Sequence, residues 1–182
     1  MTATRLTPPL GPEDHVLGPE DAPLELVMYG DFQCPYCVAA QSMVRRARER
    51  LDGRLRFAFR HMPLSEIHPA AQNAAEAAEA AAAQGAFWPM HDQLYASRGR
   101  LSLDDLATHA EAIGLDAQAV RDELANHIHA QRVGRDEESA RRAGIAGTPA
   151  FFVNGTLHEG AFDAGSLIEA LESSASRSSA GS

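Results

Sequence analysis

Three successive patterns of apolar residues open the chain. Leu24–Tyr29 is a nearly continuous apolar run of strand length, which is typical of a buried strand. From Val38 the apolar residues recur at helical spacing, and Gly53 is expected to end that helix. Arg54–Arg60 then alternates, with its apolar residues on one face, as in a strand. Strand, helix and strand form a βαβ unit, so we expect parallel strands joined by a right-handed connection.

The middle of the chain predicts only helices. Its first part is rich in Ala, the residue with the highest helix propensity. Two polar residues are placed as N-caps, where a side-chain oxygen accepts from the first free backbone N–H groups. The predicted helices are Glu66–Gly85, Phe87–Ser97, one opened by Ser102, and one opened by Asp116 that runs with one break to Ala143.

Strand patterns return after this block. Ala150–Val153 and Thr156–Glu159 flank Asn154-Gly155, which is a strong hairpin signal because both turn positions favour positive φ. Asp163 is then placed to cap a last helix. The order βαβ, helical block, ββα predicts an α/β fold.

Composition and charge narrow the function classes. The chain has 182 residues, 45% of them hydrophobic, which suits a single well-formed core. Its net charge is −9 and all 16 basic residues are Arg, so we expect neither a nucleic-acid binder nor a polybasic membrane anchor. The apolar runs are too short for a membrane span, and the N-terminus lacks a signal-peptide core, which predicts a cytoplasmic protein.

The only two cysteines stand three apart in the sequence "CPYC", as Cys34 and Cys37. This spacing has three possible interpretations: a redox-active dithiol, half of a metal site, or a chance pair. A closed zinc site needs four ligands, and no further Cys exists. His127 and His129 are two apart, which on a helix directs them away from a shared site. We therefore predict no metal.

The position of the pair favours redox chemistry. The cysteines lie where a buried strand ends and a helix begins, and free N–H groups there stabilise a thiolate at Cys34. Pro35 suits the first helical turn because its missing N–H is not needed there. We expect Cys34 to be the accessible thiol that attacks a disulfide. Cys37, one turn later, should point inward and act as the resolving thiol, which closes a disulfide with Cys34.

A second signal is Thr148-Pro149. A proline directly before a central apolar strand is unusual, and the X-Pro bond there is a candidate cis peptide. Together with "CPYC", the segments "HMPLSEIHPAA", "FWPMHDQLY" and "AGTPAFFVNG" resemble the DsbA-like family of thiol-disulfide oxidoreductases, which have a thioredoxin fold with a helical insertion. The resemblance runs from about His15 to Glu172.

The resemblance carries further expectations. It implies that Cys34 forms a mixed disulfide with substrate, and that Thr148-Pro149 is a cis-proline loop packed against the cysteine pair. It suggests that His61, His68, Trp88 and His91 belong to the helical block and its seam, where structural roles are the simpler expectation. It implies a thioredoxin domain over 15–65 and 144–172 and a helical insertion over 66–143. The polar, Pro-rich composition of 1–14 predicts a flexible segment, and the low-complexity composition of 173–182 predicts a disordered tail.

Two features depart from the family. Many thioredoxin-fold enzymes have a buried carboxylate six residues before the first Cys, where this chain has Met28. Asp31 is expected nearer the surface turn, so proton transfer at Cys37 would use water or another group. The dipeptide Pro35-Tyr36 is similar to that of glutaredoxins, which suggests a glutathione-linked role.

The sequence therefore predicts a monomeric protein thiol-disulfide oxidoreductase that acts on protein or peptide thiols and disulfides. It is expected to use a redox-active disulfide and no bound cofactor, with glutathione as a candidate co-substrate. Nucleic acid and membranes are not expected partners. Two alternatives stay open, namely a glutathione-dependent reductase or transferase on the same fold and a redox-sensing, chaperone-like binding module.

Overall fold

The structure is a computed structural model that describes residues 4–179, with side chains as far as residue 175. The described chain has five strands: β1 (His15–Leu17), β2 (Leu24–Gly30), β3 (Leu55–His61), β4 (Ala150–Val153) and β5 (Thr156–Leu157). Its helices are α1 (Pro35–Arg50), α2 (Ala71–Ala83), α3 (Phe87–Ala96), α4 (Leu103–Ala112), α5 (Ala117–Ala125), α6 (Ala130–Arg142) and α7 (Ala164–Ser179).

These elements form two compact units. Unit 1 contains the described residues up to Gly30, then Ala39–Arg60 and the described residues from Ser139 onward. Unit 2 contains Asp31–Val38 and His61–Glu138. The sheet therefore belongs to unit 1, apart from the last residue of β3, whereas the loop with the cysteines belongs to unit 2.

The sheet has the strand order β1-β3-β2-β4-β5. β1 pairs with β3, β4 with β2 and β5 with β4, all in antiparallel register. β2 and β3 are neighbours joined through α1, which is the crossover connection that parallel strands require. The five helices α2 to α6 lie between β3 and β4 in the chain, so the predicted thioredoxin fold with a helical insertion is confirmed.

Buried apolar residues explain the central strands. In β2, Leu26 to Tyr29 are fully buried, as the continuous apolar run predicts. In β3 the alternating Phe57 and Phe59 are buried as well. α7 packs on β2 and β4 through the fully buried Leu167 and Leu171. The core of unit 1 therefore consists of the residues that the periodicity selects.

The hairpin follows the predicted turn chemistry. Asn154 and Gly155 have φ values of 46° and 74°, as the two positions of a type I′ turn require. The Asn154 side chain accepts from the Glu25 N–H at 2.7 Å and donates to Ser174 Oγ at 2.9 Å. β5 is shorter than predicted, because strand pairing ends at Leu157 opposite Phe152.

Local sequence signals explain most helix ends in unit 2. Ser102 accepts from the Asp105 N–H in a capping box, and Asp116 accepts from the Ala119 N–H. α2 begins at Ala71, five residues later than predicted, because Pro69 disfavours a helical backbone at the residue before it.

The chain is not helical between α5 and α6, so the prediction that His127 and His129 lie on a helix is wrong. Residues 126–129 form a turn in which His127 has a φ of 49°. His127 and His129 therefore do not lie on a helix, and their spacing says nothing about a shared site. They pair instead with Glu76 at 3.1 Å and Glu123 at 2.7 Å, respectively.

Both terminal segments have more structure than their composition predicts. Leu6 is 6% exposed and its N–H donates to Gly155 O at 2.9 Å, so the segment before β1 packs on the hairpin. β1 was not predicted from its pattern, because it has only three residues and depends on pairing with β3. α7 continues to Ser179 through the low-complexity segment, whereas residues 180–182 lie outside the described residues. Within residues 4–179 no helix is long and apolar enough to cross a membrane.

Arg60 fastens the N-terminal segment to β3. Its side chain is 3% exposed and binds the Asp14 carboxylate through two bonds of 2.8 and 3.0 Å. It also donates to Pro8 O, Pro9 O and the Tyr29 hydroxyl. Burial lowers the pKa of Arg60, but the bonds to Asp14 and Tyr29 outweigh it and raise the pKa above its usual value. The guanidinium is therefore a buried, paired charge.

We expect Arg60→Met to lower the free energy of unfolding by about 3–5 kcal/mol, because it leaves the Asp14 carboxylate buried without its partner. Chemical denaturation measures this loss. Arg121→Met is the matched control, since Arg121 pairs with Asp104 at the surface with side-chain exposures of 43% and 88%. That pair is expected to contribute about 0–1 kcal/mol. Equal losses for the two variants would contradict this account of Arg60.

Candidate active site at the start of helix α1

The cysteine pair lies at the start of α1. Cys34 directly precedes the helix, and its carbonyl accepts the first helical hydrogen bond, from the Val38 N–H at 3.1 Å. Pro35 is the first helical residue, as predicted, and Tyr36 is 67% exposed. Cys37 follows within the same turn. Cys34 is thus the N-cap residue, next to the free N–H groups of the helix.

The predicted difference in exposure between the thiols is not observed. Cys34 is 3% exposed and Cys37 0%, and neither is in a disulfide. The loop ahead of the helix is itself folded inward, because Asp31 and Phe32 are 1% and 3% exposed. Any chemical asymmetry between the two sulfurs must therefore come from their position in the helix and from their hydrogen bonds.

Asp31 organises this loop, and its predicted place near the surface is wrong. One carboxylate oxygen accepts from the Gln33 N–H at 2.7 Å. The other accepts from the Leu64 N–H at 2.9 Å and pairs with His68 Nδ1 at 2.7 Å. The backbone N–H of Asp31 points to Cys37 Sγ at 3.5 Å. A single buried residue thus ties the loop to the segment after β3 and contacts the second cysteine.

Phe32 packs into a cluster of rings within unit 2. Its ring centroid lies 4.8 Å from that of Tyr95, 5.8 Å from that of His91 and 6.1 Å from that of His61. His91 also contacts Trp88 and Tyr95, with centroids 5.0 Å away in both cases. Trp88, His91 and Tyr95 of α3 therefore pack beside the loop that carries the cysteines.

Tyr95 is the site residue that sequence reasoning missed. It lies on α3, one turn after His91, and is 7% exposed. Burial raises its pKa well above the usual value. The acidic groups of Cys37, Asp31 and Cys34 raise it further. The spacing from His91 on an apolar helix was the available signal, but it also fits an ordinary core position.

A buried charge network shares His61 with the ring cluster. His61 Nε2 and Glu79 are 2.7 Å apart, and the His61 N–H donates to Asp136 at 2.9 Å. Arg132 donates to Asp136 at 2.7 Å and lies 4.0 Å from Glu79. The network links the end of β3 to α2 and α6. These contacts agree with the structural role expected for His61.

The whole fold and its site match one family. A family model described as thioredoxin matches residues 11–173. The chain belongs to the thioredoxin family. The resemblance to DsbA-like proteins that the motifs indicate is thereby confirmed at the level of family and fold.

Solved structures agree with this thioredoxin-family assignment. BdbD from Bacillus subtilis superposes with a TM-score of 0.85 at 22% identity, covering 96% of this chain and 98% of its own. The alpha-DsbA1 protein of Wolbachia pipientis has a TM-score of 0.78 at 21% identity, with coverages of 97% and 99%. At these identities the likeness concerns the fold. A thioredoxin-like oxidoreductase from Silicibacter pomeroyi has a TM-score of 0.80 at 26% identity, with coverages of 90% and 93%.

Curated relatives carry a different name. The protein called Na(+)/H(+) antiporter NhaA 1 of Salinispora arenicola is 45% identical over 174 residues, which is 95% of this chain. The match spans 26% of that antiporter, so this thioredoxin-family chain corresponds to about a quarter of the length of the relative.

Thr148 and Pro149 lie between α6 and β4, in unit 1. Both residues are partly exposed, and the peptide bond between them is cis. The cysteine loop belongs to unit 2. The substrate-facing role that the resemblance implies for Thr148-Pro149 stays a prediction, as do the supporting roles of Pro35 and Tyr36.

We expect Asp31→Asn to lower the free energy of unfolding by about 1–3 kcal/mol, because an amide replaces one acceptor oxygen with a donor and leaves at least one buried N–H group facing it. Denaturant unfolding of the reduced protein measures the change. Asp21→Asn is the control, since Asp21 is exposed, and a change within about 0.5 kcal/mol is expected there. If both variants are as stable as the wild type, Asp31 does not organise the loop.

Proposed function

We propose that this chain is a protein thiol-disulfide oxidoreductase in which Cys34 attacks and Cys37 resolves. The observation that carries the proposal is the placement of its only two cysteines, one as the N-cap of α1 and one in the same helical turn. Membership of the thioredoxin family and the likeness to a solved thioredoxin-like oxidoreductase support it.

The reaction follows from the two positions. The thiolate of Cys34, stabilised by the free N–H groups and the dipole of α1, attacks a client disulfide. A bond forms between Cys34 and one client sulfur, and the other client sulfur leaves as a thiolate that takes a proton. Cys37 then loses its proton and attacks Cys34, which releases the second client sulfur. The client gains two electrons, and the chain ends with a Cys34–Cys37 disulfide.

The pair must be recycled for turnover. A thiol reductant returns the two electrons, and we propose glutathione as the candidate co-substrate. Run in reverse, the same steps oxidise client thiols. We propose protein or peptide clients, no metal and no bound cofactor. We further propose a monomer in the cytoplasm, where the glutathione pool maintains reducing conditions.

We expect Cys37→Ser to accumulate a mixed disulfide with a disulfide-bonded client such as insulin, because Cys34 can attack but nothing resolves the product. Non-reducing electrophoresis and mass spectrometry identify the adduct and the cysteine that carries it. Cys34→Ser is the matched control, and it should yield little adduct and no turnover. Adduct formation through Cys37 at the same rate in the control would reverse the two roles.

A redox-sensing binding module is the second candidate function. The observation that favours it is the 45% identity to a stretch of about a quarter of a protein named as an antiporter, where such a unit is one part of a larger chain. Suppression of aggregation of an unfolded client distinguishes the two functions. If the chain is a binding module, the wild type and Cys34→Ser should suppress aggregation of the client equally well. If it is an enzyme, Cys34→Ser should lose disulfide exchange.

A further inference from the structure

We infer that Gln33 is a positioning residue for the attacking thiol: its side chain fastens the turn before Cys34 to the start of α2 and so speeds attack on a client disulfide. The inference deepens the proposed function and rests on it. Gln33 directly precedes Cys34 in the chain, and its amide neither titrates nor exchanges disulfides, so it acts through the place it gives to its neighbour.

The residues before Cys34 form a tight turn. The Cys34 N–H donates to Asp31 O at 3.2 Å, which closes a four-residue turn over 31–34. Within this turn the Gln33 N–H donates to the Asp31 carboxylate at 2.7 Å. On its other side Cys34 is held by α1, because its carbonyl accepts from the Val38 N–H at 3.1 Å. The backbone of Cys34 is therefore fixed by α1 and by this turn.

The Gln33 side chain links the turn to α2. Its Oε1 atom accepts from the Ala70 N–H at 2.8 Å. Ala70 is the N-cap residue of α2 and makes no side-chain cap, and Ala is among the least favoured residues at that position. In a capping box the N-cap N–H is bound by a Glu or Gln of the same helix. Here a Gln of the cysteine turn takes that place, which explains why α2 begins at a residue with a poor capping propensity.

Two tethers hold the turn at different points. The Asp31 carboxylate holds its first residue through bonds to Leu64 and His68. The Gln33 side chain holds the residue next to Cys34. Loss of the Gln33 tether therefore frees the end of the turn that carries the thiol, while the Asp31 bonds remain. A thiol held in place before the reaction attacks faster, because ordering it during the reaction would raise the barrier.

An amide suits this position better than the two side chains closest to it in size. Met would fill the same space but could not accept the bond from the Ala70 N–H. Glu would accept the bond, but it would place a negative charge one residue from the Cys34 thiolate. Gln supplies the acceptor without the charge. The pair Gln33→Met and Gln33→Glu therefore separates the hydrogen bond from the bulk of the side chain.

The first test measures attack alone. Gln33, Gln33→Met and Gln33→Glu are compared in the Cys37→Ser background, where the mixed disulfide accumulates, with increasing insulin concentrations under single-turnover conditions. The salt concentration is about 1 M, where a Debye length of roughly 3 Å screens the charge of Glu. We expect Gln33→Met to lower the saturating rate constant about threefold to tenfold, as for a lost neutral hydrogen bond, with an unchanged half-saturating concentration. Gln33→Glu should stay within about twofold of the parent.

Two results of this test would overturn the inference. One is a saturating rate constant for Gln33→Met that equals or exceeds that of the parent. The other is a rise in the half-saturating concentration alone, which would mean that Gln33 binds the client directly.

Gln72→Met is the matched control. Gln72 lies in the first turn of α2, and its side chain donates to Glu76 Oε1 at 2.9 Å. This variant weakens the start of the same helix without touching the cysteine turn, so the rate of attack should not change. If it slows attack as much as Gln33→Met does, a weaker helix start explains the result and the inference is wrong.

A second measurement does not require any exchange activity. Hydrogen exchange of the Ala70 amide is followed by NMR in the reduced proteins. It should be about threefold to tenfold faster in Gln33→Met, and unchanged in Gln33→Glu and Gln72→Met. Unchanged exchange in Gln33→Met would overturn the inference even if attack slows. Lack of any mixed disulfide in the Cys37→Ser parent would instead refute the proposed function, whatever the Ala70 amide shows.

Discussion

The buried carboxylate of Asp31 is the constraint on which the candidate site depends. A charge removed from water is tolerated only when donors surround it, and here two backbone N–H groups and a histidine do so. These donors come from residues 33, 64 and 68, so the same bonds that satisfy the charge close the loop before α1. The direction of the Asp31 N–H, and with it the environment of Cys37, follows from that closure.

The site treats its two sulfurs differently even though both are buried. Cys34, as the N-cap of α1, lies beside the partial positive charge of a helix terminus. Cys37, inside the first turn, lies 3.5 Å from one directed donor, the backbone N–H of Asp31. A helix dipole acts on whichever anion reaches the terminus, whereas a directed hydrogen bond depends on geometry. The proposed order, attack by Cys34 and resolution by Cys37, corresponds to this difference in position.

Local sequence patterns predicted the helices, strands and turns of this fold more accurately than they predicted which polar residues are buried. The runs at Leu24–Tyr29 and Arg54–Arg60, the Asn154-Gly155 turn and the Ser102 cap report on neighbours within a few residues, and all were found as predicted or within one residue. β1 and the inward position of Asp31 depend on partners many residues away, in β3 and near His68. A polar residue after a strand normally indicates a surface turn, so no local pattern could reveal that distant donors would surround Asp31.

The departure at Met28 acquires a physical meaning from these contacts. A carboxylate six residues before the first Cys would serve as a proton acceptor, but Met28 is fully buried and has no group that titrates. Close to Cys37 the structure places a donor instead, the Asp31 backbone N–H at 3.5 Å from the sulfur. An acceptor helps by removing the proton, whereas donors help by lowering the free energy of the thiolate that remains. Both routes favour the same anion, so under the proposed function a chain with Met28 at this position would resolve a mixed disulfide with the help of the donor that the closed loop holds.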